Sequence, residues 1–241
     1  MKRLRAFLER AVQVQPVVFS LLLLMFVPVV AAAHNVAAAD RAALTAAHGA
    51  QPFIYGYLGA KHMVTGYDHL LFLFGVIFFL HRLRDVVGYV TLFALGHSMT
   101  LLGGVLGGVR VNSYLVDAVI GFSVVYKAFE NMGGFRTLFG LALNTRVAVF
   151  LFGLCHGLGL ATKIQDVSLS RDSMLPNLVS FNVGVELGQL LALVLMVLLV
   201  LTWRRSPRFE RQAFVANTII MACGFVLMGY QLTGYFLGAR V

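Results

Sequence analysis

Leu178-Val-Ser-Phe-Asn182-Val-Gly184-Val-Glu186-Leu-Gly188-Gln189-Leu-Leu-Ala-Leu-Val-Leu-Met-Val-Leu-Leu-Val-Leu-Thr-Trp203 decides the fold. The run exceeds the roughly 20 apolar residues a helix needs to cross a bilayer, and Glu186 is its one charged residue. Asn182, Glu186 and Gln189 recur at i, i+4 and i+7, so a helix gathers them into one stripe. The segment therefore reads as a transmembrane helix with a polar face. A charged group at bilayer depth costs about 2.5–3.5 kcal/mol, so such a face must meet something inside a bundle.

The rest of the chain agrees. Of its 241 residues 59% are hydrophobic and 12% charged, with a mean hydropathy of +0.85. Soluble domains carry about 25% charged residues, which excludes an ordinary soluble enzyme. Further spans fall at Tyr55–Leu80, Val86–Gly108, Tyr114–Phe129, Arg146–Ala161 and Ala213–Leu237. The expected fold is all-α: a polytopic helix bundle with six core spans over 55–241. Pro16–Ala33 adds a signal peptide or a seventh span within 1–33, and 34–54 is expected outside the cytoplasm. The basic start, apolar run and Ala31-Ala32-Ala33 have a signal peptide's layout.

The net charge of +9 does not point to nucleic acid, because the basic residues sit at span ends and set topology. Lys2, Arg3, Arg5, Arg10, Arg82, Arg84, Lys127, Arg136, Arg146, Arg204, Arg205, Arg208 and Arg211 fall on one side, read as the cytoplasm. Arg41, Lys61, Arg110, Lys163, Arg171 and Arg240 fall on the other. The expected setting is a bacterial inner membrane with the C-terminus outside the cytoplasm. Cys155 and Cys223 lie within spans and read as small packing residues.

Ionisable groups recur inside these spans: His62, Asp68, His69, His97, His156 and Glu186. Imidazoles mixed with carboxylates suit borderline divalent metals such as nickel, cobalt or zinc. His62 and His69 share a helix face but stand about 10 Å apart along it, so one ion reaches both only if the helix breaks. Gly66 is the place for such a break, since broken helices line transporter sites. Asp68 points elsewhere on an ideal helix; it ligates after unwinding or holds a neighbouring imidazole by its second nitrogen. His69, His97, His156 and Glu186 fall at depths where they could meet in one layer, with Ser98, Thr100, Asn182 and Gln189 as supporting polar groups. Gly103/Gly107, Gly104/Gly108, Gly153/Gly157 and Gly184/Gly188 have the spacing that lets membrane helices approach closely. Asp117 and Glu130, near the ends of the fourth span, are expected to reach water. His34, His48 and His81 are expected in solvent.

A faint internal echo links His69 and Phe93-Ala-Leu-Gly96 to His156 and Phe181-Asn-Val-Gly184. The charge-derived topology inverts the two halves, the arrangement that places transporter sites between repeats.

From Tyr55 onward the motifs resemble those of the HupE/UreJ family of bacterial membrane proteins. The matching segments are His62-x-x-x-Gly66-x-Asp68-His69-Leu-Leu-Phe72, Phe93-Ala-Leu-Gly96-His97-Ser98-Met-Thr100-Leu and Tyr126-x-Ala-x-Glu130-Asn131. Phe152-Gly-Leu-Cys-His156-Gly-Leu-Gly159 and Phe181-Asn182-Val-Gly184-Val-Glu186-Leu-Gly188-Gln189 follow. The first is also similar to the His-x4-Asp-His signature of nickel and cobalt transporters, with five residues intervening here. Met63 stands where the family often has proline. The resemblance implies nickel uptake.

The expected function is a secondary permease importing a divalent cation, Ni²⁺ before Co²⁺, Zn²⁺ or Cu²⁺, without nucleotide hydrolysis. The expected partners are the lipid bilayer and the metal cation; a homo-oligomer or accessory subunits are compatible. Two other classes stay open: a membrane-embedded metalloenzyme that retains its metal, and a non-transporting metal-delivery subunit. A metal-free proton relay through Glu186 and Asp68, or interhelical glue, would also use this stripe.

Overall fold

The computed structural model describes residues 49–165 and 173–238, and every described secondary-structure element is a helix. They are α1 (Pro52–Thr65), α2 (Tyr67–Ile77), α3 (Leu83–Leu106), α4 (Ser113–Asn131), α5 (Gly134–Phe139), α6 (Thr145–Gln165), α7 (Met174–Trp203) and α8 (Phe209–Gly238). The Pro16–Ala33 segment lies outside the described residues.

Helix starts follow the local sequence. Pro52 sits in the first turn of α1, where its missing N–H costs nothing. Asn112 caps α4 by accepting from the Leu115 N–H at 3.3 Å, and Asn144 receives the N–H groups of Arg146 and Val147 at the head of α6. Four helices, α3, α6, α7 and α8, are long and apolar enough to cross a bilayer. The chain is a membrane protein, with Leu187, Leu191, Leu195 and Leu198 among the large apolar side chains that α7 leaves exposed. Three charges, Asp117, Lys127 and Glu130, lower the apolar character of α4.

The expected span over Tyr55–Leu80 is two helices. Gly66 adopts an extended conformation between them, with φ −76° and ψ +99°. Its N–H still bonds the His62 carbonyl at 2.8 Å, and its own carbonyl accepts from Leu70 at 3.0 Å. A β-carbon at Gly66 would lie 2.9 Å from both the His62 carbonyl oxygen and the His69 Nδ1. Only glycine fits this corner.

Three helix pairs dominate the packing: α3 with α6, α1 with α7, and α4 with α8. The first two use the same joint. In α3/α6, Gly153 abuts the Phe93 carbonyl, Gly96 the Phe150 carbonyl, and the Thr100 hydroxyl bonds the Leu154 carbonyl at 2.7 Å. In α1/α7, Gly59 abuts the Phe181 carbonyl, Gly184 the Gly56 carbonyl and Gly188 the Ala60 carbonyl. Residue for residue, α3 corresponds to α7 and α6 to α1. Both pairs run parallel. The α4/α8 pair is antiparallel and maps onto itself: Gly121 lies on Met228 as Gly224 lies on Val125. These relations are those of two inverted three-helix halves.

The Phe–Gly anchors of the sequence echo therefore hold, but their histidine register is corrected. His62, not His69, is the mate of His156, because α1 packs on α7 as α6 packs on α3, and the break at Gly66 diverts α2 towards α4.

Candidate metal centre

The break at Gly66 turns a spacing of seven residues into a contact: the His62 and His69 rings stand 5.2 Å apart, centre to centre. His69, in the first turn of α2, is the hub. Its ring lies 4.8 Å from that of His156 on α6 and 6.0 Å from that of His97 on α3. Four helices thus each contribute one imidazole, and His69, His97 and His156 are at most 3% exposed. Glycine allows this proximity, since a β-carbon at Gly157, beside His156, would stand 2.1 Å from the His97 carbonyl oxygen.

The ring nitrogens divide in a consistent way. His69 Nδ1 is 2.9 Å from Asp68 Oδ1, and His156 Nδ1 is 2.7 Å from the Phe152 carbonyl oxygen. A carbonyl only accepts, so His156 carries its proton on Nδ1, leaving Nε2 as a bare lone pair. An ionised Asp68 imposes the same tautomer on His69. The Nε2 atoms of His62, His69, His97 and His156 are all buried without a hydrogen-bond partner. Buried polar nitrogens are almost always paired, so four orphans around one ring point to a missing electrophile. An acceptor behind the ring, as His69 and His156 have, is the arrangement that orients histidine towards metal.

The cluster is open. Among the described residues, no group of three or more His, Cys, Asp or Glu side chains is gathered closely enough to hold a metal ion. Rings sharing a tetrahedral ion at about 2.0–2.1 Å have centres roughly 5 Å apart, so the His69 pairs with His62 and His156 are near that separation. The His69–His97 pair is wider.

The other sequence-derived residues lie around this core. Glu186 is exposed, and its carboxylate accepts from Asn182 at 3.3 Å and Ser98 at 3.5 Å. The glycine face of α7, with Gly184 and Gly188, is turned to α1, which puts Glu186 on roughly the opposite side. Thr100 is spent on the α3/α6 joint, and Gln189 donates to the Val90 carbonyl at 3.4 Å.

Several partners escaped the sequence reading. Phe93 contacts the rings of His69, His97 and His156, Phe72 lies against His156, and Phe181 lies against His62. Phe93 precedes His97 by four residues, as Phe152 precedes His156, a spacing visible in sequence. Asp117 does not reach water as expected, and Glu130 is only partly exposed. Asp117, 6% exposed, takes the Lys163 ammonium on both oxygens at 2.8 and 2.9 Å, and Glu130 pairs with Lys127 at 2.8 Å.

The family described as HupE / UreJ protein matches residues 19–239. The chain belongs to this family. The HupE/UreJ match spans all eight helices and every imidazole of the cluster. No curated protein and no solved structure matches the chain.

Proposed function

We propose that this HupE/UreJ protein is a secondary permease that imports a divalent transition-metal cation, Ni²⁺ first among them, across the bacterial inner membrane. The single observation that carries the reading is the set of four buried Nε2 atoms, unbonded, drawn from four helices around His69. The family is associated with nickel and cobalt transport or accessory function, in keeping with imidazole donors. Six spans, with α1 and α2 as one broken crossing and the C-terminus outside, account for the parallel and antiparallel pairings.

In this reading His62 and His69 receive the cation at the break, and His97 and His156 close on it from α3 and α6. Asp68 holds His69 in its metal-binding tautomer and offsets part of the dication's charge. Glu186, beside Ser98, the residue that follows His97, is a carboxylate that joins when α3 and α7 shift. An open cluster suits a cargo that must leave. Imidazoles bind metal only when neutral, so affinity falls as pH drops and protons compete with the ion.

Uptake of ⁶³Ni²⁺ into proteoliposomes, at pH 7.5 and 5.5, tests this. The intact chain accumulates nickel at the higher pH, and His69→Ala abolishes accumulation while still inserting. Equal uptake by His69→Ala removes the ligand assignment. Metal that survives purification and chelation favours the metalloenzyme instead.

A further inference from the structure

The last turns of α4 hold a second charged group, apart from the imidazoles. Lys127 is 7% exposed, and its ammonium lies 2.8 Å from Glu130 Oε2. The other carboxylate oxygen, Oε1, accepts from the Thr145 hydroxyl at the head of α6. The Lys127 stem packs on Gly75 of α2, its Cγ 3.2 Å from where a β-carbon would sit. Beside it the Asn131 amide donates to the Gly75 carbonyl at 2.8 Å and to Asn217 of α8 at 2.9 Å. Asn217 is fully buried and donates in turn to the Ala213 carbonyl.

Gly75 follows His69 by six residues on α2, about 9 Å along the axis at 1.5 Å per residue. The pair therefore stands beyond the imidazoles at the end of the bundle that carries Arg136 and Arg146, the side read as cytoplasmic. A dication that left the cluster in that direction would have to pass this ammonium, which Glu130 now holds. The ammonium's carboxylate partner is an oxygen donor with a hydroxyl already against it. Lys127 has a flexible four-carbon stem, so its charge can withdraw while Glu130 stays held by Thr145.

We propose that Lys127 and Glu130 form a charge gate on the release side of the cluster, where Glu130 exchanges its lysine for the outgoing divalent cation. The proposal rests on the permease reading. Removing either partner of a buried pair leaves the other charge uncompensated, so the two single variants act with opposite sign on a cation. Lys127→Met exposes a bare carboxylate: the full chain in detergent binds Co²⁺ at least about tenfold more tightly, or at one further site, and releases it more slowly. Glu130→Gln strands the ammonium on the path: uptake falls at least about tenfold while equilibrium Co²⁺ binding at the imidazoles stays unchanged. The double variant Lys127→Met/Glu130→Gln has neither barrier nor station, and its uptake recovers relative to Glu130→Gln.

A structural brace would give another pattern. If both single variants and the double lower folded yield alike, with no opposed shift in Co²⁺ affinity, the gate is overturned. Wild-type uptake matched by Glu130→Gln overturns the gate alone. An intact chain that takes up no metal overturns the permease and the gate together.

Discussion

Asp68 is where the proposed metal site is most directly tested, because its carboxylate orients the His69 ring at the centre of the imidazole cluster. Its Oδ1 accepts from the His69 backbone N–H and from Nδ1, both at 2.9 Å. The second bond keeps the His69 proton away from Nε2, the atom that faces the other rings. In Asp68→Ala both donors lose their acceptor and the ring is free to take the other tautomer. In Asp68→Asn the backbone N–H keeps the amide oxygen in place, so both acceptor bonds remain but the negative charge behind them is lost. Loss of such a supporting acceptor costs about 10–100-fold in metal affinity, or about 1.4–2.8 kcal/mol at 1.4 kcal/mol per tenfold. Titration calorimetry with Ni²⁺ on the detergent-solubilised chain at pH 7.5 measures this directly. Asp68→Ala should weaken binding by at least about tenfold, and Asp68→Asn, which keeps the acceptor but not the charge, should fall between it and the intact chain. A shift of less than about threefold in Asp68→Ala would refute the argument that Asp68 sets the tautomer of a metal-binding His69.

Two further outcomes follow from packing. Gly157→Ala places a methyl 2.1 Å from the His97 carbonyl oxygen and must push α6 off α3, costing about 1–3 kcal/mol and loosening nickel binding. Gly103→Ala on α3 meets nothing within 4 Å and should leave thermal unfolding and binding unchanged, so equal effects from both substitutions contradict the joint described. Arg204, at the end of α7, donates to the carbonyls of Ile77, Phe78 and Leu80 and so ties down the end of α2. Arg204→Met leaves these carbonyls without that donor; hydrogen bonds to a charged group contribute about 1.5–3 kcal/mol, so the melting temperature in detergent should fall measurably.

The helical fold and its long apolar spans were legible because hydrocarbon solvent leaves so few choices: each backbone polar group must be paired within the helix. The imidazoles were legible for the same reason, since a histidine at bilayer depth is costly unless it has a partner. Gly66 was readable as a break only through the arithmetic of His62 and His69, which a straight helix keeps apart. The consequence of the break was not readable. It moves α2 off the register that α1 sets, so the echo aligned His156 with His69 instead of His62. Pairings within one helix, such as Lys127 with Glu130 at i, i+3, were open to inspection. Those between helices, such as Lys163 with Asp117, depend on which faces meet. Glu186 illustrates the limit: its stripe is plain in sequence, but Gly184 and Gly188 decide that the opposite face of α7 meets α1.

The kinship between the two halves is incomplete where they touch the cluster. Counterpart positions hold His62 and His156, but Val185 answers His97, and Glu186 answers Ser98, its own hydrogen-bond neighbour. Were the chain to alternate by exchanging the conformations of its halves, the inward-facing and outward-facing forms would present different donors and unequal charge to the same ion. Such forms cannot be isoenergetic. The divergence of one half from the other would then bias which side of the membrane is favoured for loading, a preference inherited from an imperfect duplication.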